Sequence, residues 1–223
     1  MIIWKAKPGM EAKLEAGLKA HNAFHVKKND PMGHNTYVVT SGPNAGDFVR
    51  VAGGRNWKDF DAEATWSKED QADSAINTDP YIASAMPMYY RLRTDLSYLA
   101  PSDTPAAMYA LIFYRLKFAN VEDFELAMKQ AKTAAEKAKW PRYFGVFSLI
   151  NGGDGPTWVL SLPRDKFADF NPPEGKTFAD MLEEQLGKRE AKARQDLVDH
   201  AVQSVFTEML TYRADLSYVP AKK

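Results

Sequence analysis

His21 and His25 are the sharpest chemical signal in this chain. Two histidines four residues apart on a helix project from one face. Leu14 and Leu18 precede them on that face, so the imidazoles continue an apolar stripe. An H-x-x-x-H pair suits acid–base catalysis, ligation of a divalent metal, or an axial bond to haem iron through one nitrogen. His21 is followed by Asn22 rather than the glutamate that a zinc-protease helix carries. No third metal ligand is evident from spacing, although His34 or Glu11 could approach. The plainer reading is a satisfied pair near the frayed end of a helix.

Cations form the second constellation. Alternation along an extended chain sorts side chains onto two faces. In the segment 88–97, Met88, Tyr90, Leu92 and Leu96 suit a helix-covered side, and Tyr89, Arg91, Arg93, Asp95 and Ser97 take the other. Lys5 and Arg115 fall on that second face, and Arg50, between Val49 and Val51, joins them. Arg91, Tyr89, Lys5 and Arg50 would then bind an anionic small molecule, because a guanidinium forks onto carboxylate or phosphate. The plainer reading makes Arg93 with Asp95, and Arg213 with Asp215, structural ion pairs. Aromatic residues such as Trp4, Tyr37, Trp57 and Trp158 could stack on a flat ligand, but aromatics more often fill cores.

The elements that position these residues come from an internal repeat. Arg93-Thr94-Asp95-Leu96-Ser97-Tyr98-Leu99 returns as Arg213-Ala214-Asp215-Leu216-Ser217-Tyr218-Val219. Each half reads β-α-β-β-α-β. In the first half the strands are 2–7, 35–41, 47–52 and 88–98, with helices at 10–28 and from Asn56 towards Ser84, interrupted at Asp79-Pro80. In the second half the strands are 109–117, 143–150, 157–162 and 204–218, with helices at 121–139 and from the Thr177 cap to about 202. Asn151-Gly152-Gly153-Asp154-Gly155-Pro156 joins two strands, so it is a hairpin loop and not a phosphate cradle. The repeats span 1–100 and 106–223, separated by the Pro-rich linker 101–105. The repeat also acts as a control. His21 and His25 match Ala131 and Ala135, and Arg91 matches Thr211, whereas Arg93 and Asp95 recur. What fails to recur is the better candidate for function.

This order of elements is the ferredoxin-like arrangement, an antiparallel sheet with helices on one face. Two such units with a repeated final segment resemble the dimeric α+β barrel superfamily in its fused form. The resemblance covers the whole chain and carries no catalytic signature of a particular family. It implies an α+β protein of tandem ferredoxin-like repeats, its two antiparallel sheets packed as an intramolecular barrel. It also implies small-molecule chemistry, since the superfamily holds small monooxygenases, isomerases and haem proteins of the chlorite dismutase type. By the last comparison His200, beside the Leu197/Ala201 stripe, becomes a candidate haem ligand; a lone histidine at a stripe edge is more often structural.

Bulk properties bound the answer. The 223 residues are 45% hydrophobic and 26% charged, as expected of a globular protein. Lysine plus arginine and aspartate plus glutamate both number 29, giving no electrostatic case for nucleic acid or an anionic membrane. The absence of cysteine excludes disulfides, thiol nucleophiles and cysteine-ligated metal. No apolar run approaches the roughly 20 residues that span a bilayer. Met1 leads straight into a strand, so no signal peptide is visible, and the absence of disulfides slightly favours the cytoplasm; export stays open if a leader was removed. The leading expectation is an enzyme, oxidoreductase or monooxygenase-like, acting on an aromatic or anionic small molecule, as monomer or homodimer. His21 or His25 would be its acid–base group. A haem or metal protein, and a non-catalytic binding module, are the alternatives.

Overall fold

The computed structural model describes residues 1–61, 65–102 and 104–220. Asp103 of the expected linker, and 221–223 at the end of the second repeat, lie outside them. The protein is α+β, with nine strands and six α-helices among the described residues.

The chain condenses into two compact units whose boundaries differ from those of the sequence repeats. The first unit takes Met1–Thr40, Asn44–Pro87 and Thr211–Lys223; the second takes Ser41–Pro43 and Met88–Leu210. Strand pairing explains the difference. β4 (Ile82–Pro87) pairs with β1 (Ile2–Ala6), whereas β5 (Tyr89–Leu92), two residues further on, pairs with β7 (Gly145–Asn151). Backbone partners, rather than chain order, decide which unit a segment joins.

The first unit holds β1, α1 (Glu11–Lys28), β2 (Asn35–Ser41), β3 (Phe48–Val51), α2 (Lys58–Asp61), α3 (Ser67–Asn77) and β4. Its strands run in the order β4-β1-β3-β2, with Trp4 opposite Phe48 and Tyr37 opposite Val49. Leu14 and Leu18 of α1 are fully buried against Phe48 and Leu216, with Trp4 and Ala6 packed beside them. Trp4 and Ala6 therefore face the helix, as alternation predicts. Burial on α1 continues at helical spacing through His21, Asn22 and His25, so its apolar stripe turns polar in the last two turns. Gly17 lies on the same helix where a Cβ would stand 1.7 Å from the Asn77 carbonyl oxygen. Only glycine permits that approach of α1 to the end of α3. The helix expected to reach Ser84 stops earlier: α3 ends at Asn77, a 3₁₀ turn spans Asp79–Tyr81, and β4 begins at Ile82. Pro80 interrupts the helical ladder, and the next residues find partners on β1 instead.

The second unit holds β5, β6 (Met108–Leu116), α4 (Val121–Ala138), β7, β8 (Thr157–Arg164), α5 (Phe178–Leu186), α6 (Lys188–Ala201) and most of β9 (Val202–Tyr212). Its strands run β9-β6-β8-β7-β5. Thr177 caps α5 as expected, accepting from the Asp180 amide while Asp180 accepts from the Thr177 amide. The single long helix expected after it is two, because Gly187 at φ 84° ends α5. Phe124, Ala131, Ala135, Trp140 and Met181 build the core of this unit.

The duplicated segment is a turn, not the end of a strand. In the first copy the Leu96 amide donates to the Arg93 carbonyl at 3.0 Å. Ser97 Oγ donates to that same carbonyl and accepts from the Val146 amide. The second copy repeats every bond: Leu216 to Arg213, Ser217 Oγ to Arg213, and the Thr36 amide to Ser217 Oγ. Serine here satisfies one carbonyl and one strand amide at once, so the local bonds win over extension. The expected ion pair of Arg93 with Asp95 forms within the turn. Arg93 reaches Asp95 at 2.9 and 2.7 Å and Glu125 of α4 at 2.6 and 3.1 Å.

Candidate functional site

The polar stretch of α1 and one face of α3 build a cluster in the first unit. His21 and His25 are each 4% exposed, one helical turn apart. Their Nε2 atoms lie 3.1 Å from each other. His21 Nδ1 sits 2.9 Å from Asp73 Oδ1. His25 Nδ1 sits 2.9 Å from Asp30 Oδ2, in ion-pair contact though off the hydrogen-bond axis. A carboxylate beside each Nδ1 favours the tautomer protonated there, and both Nε2 lone pairs then converge, with Ser74 Oγ 3.5 Å from that of His21. Asp70 Oδ1 completes the triangle, 3.7 Å from His21 Nε2 and 3.5 Å from His25 Nε2. That oxygen is buried and has no hydrogen-bond partner among the described residues.

The surroundings explain the electrostatics. Trp66 meets His25 edge-on, Phe24 stacks parallel to His21, and Tyr218 stacks on His25 at 5.7 Å. Burial pushes the His25 imidazole below its ordinary pKa, helped by the His21 charge and opposed by Asp70 and Asp30. Burial, then the Arg50 charge, pushes His34 down to about 3. The chain reverses after α1 through Asn29, at φ 50°, whose neighbour Asp30 donates its amide to the His25 carbonyl. This C-terminal turn is what delivers the Asp30 carboxylate to His25.

Sequence reasoning missed Asp70 and Asp73. Their spacing of three on a helix was the available signal, but nothing in the sequence brings α3 against α1. Neither expected third partner fills that place. Glu11 lies at the start of α1, 3.4 Å from the Gly9 amide, and the His34 ring centroid is 5.6 Å from that of His25. The anion-binding set is dispersed. Arg50 faces the helix rather than the open side of the sheet: it is 6% exposed, donates to Asn22 Oδ1 at 3.0 Å and lies over the Trp4 ring. It shares the face of Phe48, two residues earlier on β3, and an amide on α1 makes burial of the guanidinium tolerable. Lys5 is exposed on β1, and Tyr89 and Arg91 are exposed on β5 in the second unit. His200 is also exposed, its Nδ1 3.0 Å from Asp123 Oδ2 on the surface of the second unit.

The second unit contains a cavity of about 450 Å³ between β6, β8 and the helices. Trp140, Phe144, Phe178 and Tyr114 contribute to its wall, with Arg142, Arg164 and Arg194 among them. Arg142 is neutralised by Asp169 at 3.2 Å. Arg194 is 8% exposed, donates Nε to the Ala127 carbonyl, and has no carboxylate in ion-pair contact among the described residues. Arg164 donates to the Pro163 carbonyl and lies over the Phe170 ring, and its Nε is buried without a partner. Burial lowers the pKa of both guanidinia, yet leaves them charged at any physiological pH. None of the residues lining the cavity is a histidine. The sequence signal was faint, three arginines spread over 53 positions on different elements.

No protein-family model matches the chain, and no curated protein sequence matches it. Solved structures do. One is described as a "putative monooxygenase" from Lactobacillus acidophilus NCFM: 10% identity, TM-score 0.58, covering 99% of this chain and 94% of the other. Another so described, from Fusobacterium nucleatum, shows 9% identity and TM-score 0.54 over 95% of this chain and 89% of the other. The likeness is one of fold. No helix among the described residues is long and apolar enough to cross a membrane.

Proposed function

We propose that this chain is a small-molecule-binding protein, an enzyme of the dimeric α+β barrel type, whose ligand is a flat aromatic anion held in the cavity of the second unit. One observation carries the reading: Arg164 and Arg194 stand in an aromatic-walled cavity with no carboxylate paired to either. Arg194 is buried and Arg164 half-buried, neither in ion-pair contact among the described residues; that is costly for a guanidinium, and a ligand carboxylate or phenolate would offset the cost with charge-assisted hydrogen bonds. The apolar wall would take the ring. In this reading the anion anchor expected at Arg91, Tyr89, Lys5 and Arg50 passes to Arg164 and Arg194. An oxidative reaction class is supported by the two fold neighbours described as monooxygenases. A catalytic role for His21 and His25 would need a nitrogen facing substrate. In their arrangement Nδ1 meets a carboxylate and Nε2 meets the other ring.

Calorimetric titration with 2-naphthoate and its neutral analogue 2-naphthalenemethanol tests the binding claim. The anion should bind at least tenfold more tightly, and Arg164→Ala should remove that preference. Equal affinity for both compounds, or none for either, overturns the reading. Oxygen uptake on dihydroxyaromatic acids tests the enzyme claim; binding without turnover would leave a binding module.

A further inference from the structure

We propose that His21, His25 and Asp70 bind a divalent transition-metal ion in the first unit. This goes beyond the proposed function and uses none of its residues.

The geometry of three atoms carries the argument. His21 Nε2, His25 Nε2 and Asp70 Oδ1 stand 3.1, 3.5 and 3.7 Å apart. The circumradius of that triangle, the product of its sides over four times its area, is about 2.0 Å, the length of a zinc–imidazole or zinc–carboxylate bond. One ion can therefore touch all three ligands without any of them moving.

A proton shared between the rings would explain the short Nε2–Nε2 contact. It would not explain Asp70 Oδ1, which is too far from either nitrogen for a good hydrogen bond and is buried without a donor. A cation at the centre accounts for both facts. The second layer agrees. Metal-bound imidazoles place their other nitrogen on a carboxylate, which fixes the tautomer, and here Asp73 and Asp30 both stand in that position. Charge balances as well: Asp30, Asp70 and Asp73 bring three negative charges and Arg50 one positive, which a divalent ion brings to zero.

Comparison of the repeats gives independent support. His21, His25 and Asp30 match Ala131, Ala135 and Trp140, all buried apolar residues at the same places on α4 and its terminal turn. Three core positions that are apolar in the second repeat are polar in the first, two as ligands and one in the second layer, against the cost of burying polar groups. Imidazole with one carboxylate selects zinc, cobalt or iron(II) over magnesium or calcium, which prefer oxygen. Three protein ligands also leave a coordination position for water, as in reactive rather than purely structural sites.

The test uses the full chain, stripped with chelator and titrated with cobalt(II). Expected is a visible d–d band saturating at one equivalent, bleached by one equivalent of zinc, and insensitive to excess magnesium. Asp70→Asn should weaken cobalt binding at least tenfold, and Asp73→Asn should weaken it tenfold to a hundredfold through the second layer. His21→Ala with His25→Ala should abolish the band. Asp70 is partly exposed on α3, so its variant should fold even if the histidine variants do not. No saturable band in the parent chain, or an unchanged affinity in Asp70→Asn, overturns the proposal. So does displacement of cobalt by magnesium at equal concentration.

Discussion

Arg213 forks onto Glu15 at 2.7 and 2.8 Å and onto Asp215 at 2.9 and 3.0 Å, tying the duplicated turn to α1. Arg93 does the same with Glu125 and Asp95. The hydrogen bond from Arg213 holds the Glu15 carboxyl below its ordinary pKa, and Asp215 is held lower still. A depressed folded-state pKa stabilises above the unfolded value near 4 and loses that contribution as pH falls through the folded value. Arg213→Gln should therefore destabilise by about 1 kcal/mol at pH 7, since the pairs are partly exposed. Thermal melts should show the gap between parent and variant closing as pH is lowered below about 4. A gap that widens in acid would contradict the pairing.

Ser97 and Ser217 do equivalent work in the two copies. Each hydroxyl satisfies a strand amide, Val146 or Thr36, that would otherwise be buried unpaired. Ser97→Ala and Ser217→Ala should each cost about 1–3 kcal/mol by denaturant unfolding. If both are neutral, water replaces the hydroxyl and the turn is not held as described.

Gly17 sits in mid-helix, where alanine would ordinarily add about 1 kcal/mol of helix stability. Here the Asn77 carbonyl occupies the space, 1.7 Å from the added carbon. Gly17→Ala should lower the melting temperature, with a loss of about 1–3 kcal/mol as α1 and α3 are forced apart. It should also weaken cobalt binding, since His21 and Asp70 lie on those two helices. A rise in melting temperature would refute the close approach.

Arg194→Met separates stability from binding. It removes a buried charge that lacks a carboxylate partner and keeps most of the side-chain volume. Stability should hold or rise, because hydrophobic replacement of buried charge is often neutral or favourable. Affinity for 2-naphthoate should fall at least tenfold in the same protein. Loss of stability with unchanged binding would make Arg194 a structural residue.

Much of the architecture is readable without coordinates. β2 is observed at Asn35–Ser41 and α4 at Val121–Ala138, within a residue of expectation, because alternation and helical spacing are strong there. The Thr177 cap is readable for the same local reason. Less legible were the places where a distant partner decides. Ile82–Pro87 carries no strong strand signal and becomes β4 because β1 offers a free edge. Arg93–Ser97 alternates like a strand and becomes a turn because the Ser97 hydroxyl takes the Val146 amide.

Spacing along the chain is enough to put His21 and His25 on one face of α1, and to show from Ala131 and Ala135 that they are exceptional. Both statements depend on spacing along one chain. Only tertiary structure decided what the imidazoles meet. Asp70 and Asp73 come from a helix some 50 positions away, and Asp30 from a turn whose left-handed residue aims it back. It also turned Arg50 toward Asn22 and gathered Arg142, Arg164 and Arg194 around one cavity. Hydrophobic spacing encodes which face of an element is buried; which polar groups converge there depends on how separate elements pack, and no local pattern records that.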